Sequence, residues 1–272
     1  MTNAQLIVFT DMVDTKLIEL SVVPSIARGM YNANTPLIRG AAVDILGTED
    51  ITIGQYTGTI THQSLAGTKQ TVALSHAPYF SVKLDGVKDL ATAPANLKTF
   101  VATKAGKTLA LDMDVELGKL GASAKVTVTA TKADIDAGFV GAATALDEAN
   151  VGMNDRAMLL DPASANLLIS EQGKALQGEK ASNIVYEGYI GKYMGFEVFK
   201  SNSLTATTTV KHCLALDMSA LVLPRNYDEV REIESSEFFG VAVQGVVSYG
   251  IGVIETETGK SNRIAKVDID HA

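Results

Sequence analysis

Apolar and polar positions alternate most regularly near the end of the chain. In FFGVAVQGVVSYGIGVIETE, Val241, Val243, Val247, Tyr249, Ile251 and Val253 recur at period two, which predicts a strand with one buried face. The run is longer than strands usually are, so a bend at Gly245 or Gly250 is expected. The same period appears in YFSVKLD, where Phe80, Val82 and Leu84 alternate with Ser81, Lys83 and Asp85, and in AKVTVTAT, where Val126, Val128 and Ala130 alternate with threonines. Shorter apolar runs at AMLL (157–160), GFEVFKS (195–201) and HCLAL (212–216) predict further strands.

Helical spacing governs other stretches. Residues 1–20 carry Leu6, Phe9, Val13, Leu17 and Leu20 near period 3.6. A long helix is expected from Pro94 to about Leu120, with Leu97, Val101, Ala105, Thr108, Asp112 and Val115 along one stripe. Phe100, Leu109, Leu111 and Leu117 widen that stripe, and Gly118 and Gly121 mark its end. Residues 134–149 form an amphipathic helix with Ile135, Phe139, Ala142 and Leu146 inward and Asp134 and Asp136 at its positive end. Asp161-Pro162 caps and starts another.

Two stretches fit neither period. From Val23 to Gly47, Pro24, Gly29, Asn32, Asn34, Pro36 and Gly40 break the pattern into an extended arm. Between Thr48 and Thr71 fall seven threonines, spaced by Gly54, Gly58 and Gly67. Residues 48–76 therefore read as a long two-stranded hairpin with its tip near Leu65–Lys69, Ile51 and Ile53 on one face and Tyr56 and Ile60 on the other. Neither face is apolar enough to bury against its own domain, and an isolated hairpin is marginal in water. It is either a mobile surface hairpin or an arm that completes its packing on a neighbouring subunit.

Composition narrows the class. A chain of 272 residues, 46% hydrophobic and 20% charged, is expected to form one folded body with subregions. The single cysteine, Cys213, excludes an intrachain disulfide and suits a reducing cytoplasm, and without a CxxC pair there is no cysteine zinc site. A formal net charge of −8 argues against a protein whose task is gripping nucleic acid. No apolar run approaches the ~18 residues of a membrane span, and the N-terminus lacks the basic lead-in of a secretory signal, so cytosolic synthesis is expected.

Catalytic motifs fail one by one. Gly259-Lys260-Ser261 lacks the earlier glycine of a phosphate loop, Ile254 standing there, and reads as a hairpin turn. Gly250 and Gly252 begin a dinucleotide fingerprint that Glu255 ends. Ser248 has half of a nucleophile elbow, and His212 and Cys213 are strand neighbours pointing apart. The histidines His62, His76, His212 and His271 show no metal-binding spacing. Asp112, Asp114 and Glu116 read as a solvated helix face balanced by Lys104, Lys107 and Lys119. The acidic run Asp228, Glu229, Glu232, Glu234 reads as a surface segment, and Tyr186, Tyr189 and Tyr193 beside Lys192 are a weak echo of a nucleic-acid surface.

The order arm, Thr-rich hairpin, spine helix, mixed α/β region and returning strand resembles the Hong Kong 97-type major capsid proteins of tailed bacteriophages. ITIGQYTGTITHQSL (51–65) with QTVALSHAPYFSVKLDGVKDL (70–90) looks like that family's extended loop and returning strand, and KTFVATKAGKTLALDMDVEL (98–117) like its spine helix. ALDEANVGMNDRAMLLDPASANLLIS (145–170) resembles the axial domain through Asp155, Arg156, Leu160 and Pro162. GYIGKYMGFEVFKSNSL (188–204) matches through Gly195-Phe196 and Ser201-Asn202, and FFGVAVQGVVSYGIGVI (238–254) through Phe239, Gly240, Val243, Gly245, Tyr249 and Gly250. The Pro-Glu-x-Trp-like opening of the family's arm is missing. No scaffolding-like domain precedes it, which implies a separate scaffolding protein, none, or a mature form.

The resemblance implies an α+β fold divided into an N-terminal arm (1–47), an extended loop and returning strand (48–84), a peripheral domain (85–121 and 225–272) and an axial domain (122–224). It implies a non-enzymatic subunit, without cofactor or metal, that self-assembles as pentamers and hexamers into an icosahedral head enclosing double-stranded DNA without sequence-specific binding. Scaffolding and portal proteins, and a decoration protein, are the implied partners. The implied location is the virion, assembled in the bacterial cytoplasm, with no membrane contact. Ile51, Ile53, Tyr56, Ile60, His62, Leu65, Lys69 and Val72 become the candidate contacts between subunits. The alternatives are an encapsulin-type nanocompartment shell and another phage head-tail structural protein.

Overall fold

The computed structural model describes residues 12, 13, 15, 16, 21–27, 42–48, 53, 55, 58, 62, 67–85, 97–172, 189–234, 240–256 and 259–272. Its centre is a six-stranded sheet in the order β4 (Ala124–Thr131), β13 (Ser261–Asp270), β8 (Val210–Asp217), β5 (Arg156–Leu160), β7 (Phe196–Lys200) and β6 (Tyr189–Tyr193). Strand alternation sends side chains to two different cores. Met158, Leu160, Val198, Cys213, Ala215, Val267 and Ile269 lie under two helices, α3 (Ile135–Glu148) and α4 (Pro162–Gln172). Ala157, Leu159, Leu214 and Leu216 face the opposite way, into a cluster shared with the long helix α2 (Leu97–Lys119).

Local chemistry explains the elements that were legible. Asp134 caps α3 by accepting from the Ala137 N–H at 3.0 Å, and Asp161 caps α4 through the Ala163 N–H at 3.0 Å. Gly141 lets α3 press onto the sheet, since a Cβ there would lie 2.5 Å from Val128 Cγ1. Arg156, itself buried, ties the turn before β5 together: Nε donates to Gly152 O at 2.9 Å and a terminal nitrogen to Asp147 Oδ1 at 2.6 Å.

α2 is present and buries Val101, Ala105, Leu109 and Leu117 of its expected stripe, but not Thr108, Leu111 or Val115. Its buried face is Val101, Ala102, Ala105, Leu109, Ala110, Met113 and Leu117, whereas Thr108 is exposed and Leu111 and Val115 are 49% and 39% exposed. The small residues let the helix sit close to its neighbours, so packing rather than side-chain size selects the inward stripe.

A second sheet has the order β10 (Arg225–Glu234), β11 (Gly240–Tyr249) and β3 (Tyr79–Asp85). Val243, Val247 and Tyr249 form its buried face, as the alternation required. The bend falls at Gly250, where a Cβ would lie 2.4 Å from Ala73 O; Gly245 stays in register between Val230 and Phe80. Beyond it, β12 (Gly252–Val253) pairs with β9 (Leu221–Val222).

Several expectations are corrected. The acidic run 228–234 is a strand, part of β10, and its described side chains Arg231 and Glu234 are exposed, in keeping with a surface segment. β13, unforeseen, lies second in the large sheet, parallel to β4. Residues 261–270 therefore share a sheet with 124–131 and 210–217, where the expected division grouped 225–272 with the long helix. β6 was also unforeseen. Val23–Ile26 forms a helical turn, α1, with Val22, Val23 and Ile26 buried, where an extended arm was expected. Of the helix expected over 1–20, residues 12, 13, 15 and 16 are described, all helical; Leu6, Phe9, Leu17 and Leu20 lie outside the described residues.

Candidate assembly surface

The hairpin forms from β1 (Ala42–Thr48) and β2 (Gly67–Ala73), antiparallel from Ala42↔Ala73 to Thr48↔Gly67. Its legs thus start within the expected arm, and the tip is not at Leu65–Lys69. Lys69 lies in β2 opposite Leu46, because the register closes at Thr48↔Gly67 and leaves 49–66 as the connection.

The root is attached to its own chain. Ile45 and Val72 are 2% and 7% exposed and pack with Val222 and Ile254. Gln70 bridges two backbone groups: its Nε2 donates to Val253 O at 2.8 Å and its Oε1 accepts from Glu255 N at 2.9 Å. Gly252 makes room for this, since a Cβ there would meet Val72 Cγ2 at 2.8 Å. The expectation that neither face of the hairpin packs on its own domain is corrected at the root.

The connection differs. Ile53 is 94% exposed, and Gln55, Gly58 and His62 are exposed too. Gly58 has φ 105°, a conformation L side chains rarely adopt. Among the candidate contacts, Ile53 and His62 therefore stand in the open, while Val72 is taken up by its own chain. Ile51, Tyr56, Ile60 and Leu65 lie outside the described residues.

The carboxylates of α2 are not a solvated face. Tyr249 OH donates to Asp112 Oδ2 at 2.7 Å, and Glu116 lies 3.5 Å from His76 Nε2 and pairs with Lys119. His76 stacks on Tyr249 with ring centroids 5.3 Å apart. Burial, reinforced by the Asp112 contact, pushes the Tyr249 phenol well above its ordinary value. Asp114 is buried and accepts from Ser21 Oγ at 2.7 Å and Val22 N at 3.1 Å, pinning the start of α1. Burial raises its carboxyl from 3.8 to about 6, against the pull of those hydrogen bonds. Nothing in the sequence near Asp114 signals this, because its partner is 93 residues away.

Residues that could have carried chemistry have structural occupations. Burial pushes the Cys213 thiol up to about 12, which removes the thiolate. Ser164 Oγ lies 2.9 Å from His271 Nε2, and Asp161 Oδ1 lies 3.8 Å from the same nitrogen, so the imidazole cannot relay between them. Lys260 Nζ donates to Ala122 O at 2.7 Å after a turn closed by Thr256 N on Lys260 O. Tyr193 OH donates to Asp136 at 2.8 Å and Tyr189 packs on Phe199, so neither offers a free stacking face. Among the described residues no group of three His, Cys, Asp or Glu is placed to hold a metal ion.

A six-stranded sheet between two helical cores, a long helix and an attached hairpin together make the α+β fold of phage capsid subunits, the Hong Kong 97-like fold. The particular likenesses are to solved structures. A chain of Mycobacterium phage Che8 is 19% identical at a TM-score of 0.69, over 92% of this chain and 91% of that one. The capsid of Ralstonia phage GP4 gives 0.66 at 11% identity, over 90% and 86%. The capsid structure of cyanophage P-SCSP1u gives 0.62 at 16%, over 88% and 86%. No family model matches the sequence, and no curated protein does.

Proposed function

We propose that this chain is a major capsid protein, a structural and non-enzymatic subunit that self-assembles into the icosahedral head of a tailed phage around double-stranded DNA. The observation that carries the reading is a capsid fold bearing a hairpin attached at its root, with every described residue of its connection exposed and Ile53 at 94%. Such a segment gains ladder hydrogen bonds and apolar burial on a second copy. Individually weak contacts of this kind let misplaced subunits leave before multivalency locks a shell.

In this reading residues 122–224, joined by β13, lie towards the capsomer centre, and the hairpin lies across a neighbour with Ile51, Ile53, Tyr56, Ile60, His62, Leu65 and Lys69 as contacts. Scaffolding, portal and decoration proteins are the partners, and assembly takes place in the host cytoplasm before the subunit becomes part of the virion.

Negative-stain microscopy of the overexpressed chain tests the reading. Closed shells are expected, and shells around DNA in infected cells. Shells filled with a co-purifying protein would mean a nanocompartment, tubes a tail component, and a permanent monomer would refute assembly altogether. Replacing 51–65 by a short Gly-Ser turn, which spares Gln70 and Val72, is expected to leave a folded subunit that forms no shells.

A further inference from the structure

The two edges of the large sheet are protected unequally. β6 is five residues long, loses register between Tyr189 and Gly191, and holds a salt bridge from Lys192 to Glu197 at 3.3 Å. Irregularity and charge of this kind discourage strand pairing. β4 has neither along most of its length. From Val126 to Thr131 it runs in unbroken register beside β13, and among the described residues its outer side meets no strand, only Thr131 O accepting from Asp134 N at 3.0 Å. Lys125, Val126, Thr127, Thr129 and Thr131 are exposed, with Val126 at 38%. A stretch of valine and threonine with high β-propensity and an open ladder is a template for an added strand.

Among the described residues a second edge is open, with matching length and opposite charge. β10 is the outer strand of the small sheet; past its irregularity at Tyr227/Glu229 it runs unbroken from Glu229 to Glu234. That is six positions, as on β4 from Val126 to Thr131. The β10 stretch carries Glu229, Glu232 and Glu234 with Arg231, whereas β4 contains no acid, carries Lys125 near its start and is followed by Lys132.

We propose that β4 of one copy accepts β10 of a second copy as an added strand, with the lysines of one edge beside the glutamates of the other. The inference rests on the shell reading in that copies must meet. Because the two edges differ, the contact is head-to-tail and propagates from copy to copy, the kind that closes into rings. Pairing also covers both edges at once, and the charges of β10, which discourage indiscriminate pairing, are matched by the lysines of β4.

Hydrogen–deuterium exchange of assembled particles against subunits held below their assembly concentration tests this. Amides of Lys125–Thr131 and of Glu229–Glu234 are expected to slow about tenfold or more in particles. Particles in which either stretch exchanges as fast as in free subunits overturn the pairing and leave the shell reading standing; a chain that never assembles overturns both. Lys125→Glu with Lys132→Glu is expected to raise the assembly concentration about tenfold, and adding Glu232→Lys with Glu234→Lys to restore it. If the combined variant assembles no better than the first, β10 is not the partner.

Discussion

Every residue of β5 is buried, whereas in the β1–β2 hairpin Ile45 and Val72 are the buried side chains among those described. Both regions are β-structure built from this chain, yet one is closed on its own contacts and the other only begins there. β5 lies inside a sheet with helices against it, so alternation fills two cores. The hairpin lies outside both, and a small cluster around Val222 with the Gln70 bridge holds its root. Stability of the subunit and capacity for assembly are therefore expected to separate along this line.

Leu159→Ala should strike hardest, costing about 3–4 kcal/mol in chemical denaturation, because a fully buried side chain leaves a cavity between the sheet and the α2 cluster. A loss under about 1 kcal/mol would break the contrast at its stronger end.

Asp114→Asn tests a segment held, like the hairpin, from outside the large sheet. The folded carboxyl titrates near 6, above its ordinary 3.8, so the fold binds the proton more tightly than the unfolded chain does. Its stabilising contribution is complete below 3.8, fades through about 6 and is absent at neutral pH. The variant should gain roughly 2–3 kcal/mol at pH 7 and match the parent near pH 4, as read from melting against pH. Equal pH dependence in both proteins would show that Asp114 does not titrate in this window.

Ile45→Val should cost about 1 kcal/mol, the loss of one methylene at the hairpin root. Ile53→Ser should change subunit stability by less than about 0.5 kcal/mol while lowering particle yield, measured by sedimentation. Unchanged yield would place the hairpin contacts elsewhere along its connection.

Elements whose signals are local were legible. Asp134, Asp161-Pro162 and the alternation through Tyr249 each act within a few residues and appear as expected. β13 carries a period-two signal of its own, Ala265, Val267 and Ile269 alternating with Lys266 and Asp268. In the structure Asp268 pairs across strands with His212 Nδ1 at 2.6 Å and along its own strand with Lys266 Nζ at 3.1 Å. The inward face of α2 was legible through Val101, Ala105, Leu109 and Leu117, whereas its burial of Ala102, Ala110 and Met113 and that of Asp114 were not, since these depend on segments distant in the chain. The candidate contacts were legible as a class, an under-packed threonine-rich stretch, but the root could not be told from the open connection. That distinction comes from Val222, Val253 and Glu255, over 100 residues further on.

The Gln70 bridge has a mechanical consequence. It grips Val253 and Glu255, in the short span that leaves β11 and enters β13. A pull on the hairpin is thus delivered as torque at the joint between the small sheet and the large one. A neighbour that seizes the far end would work a lever whose fulcrum is that joint.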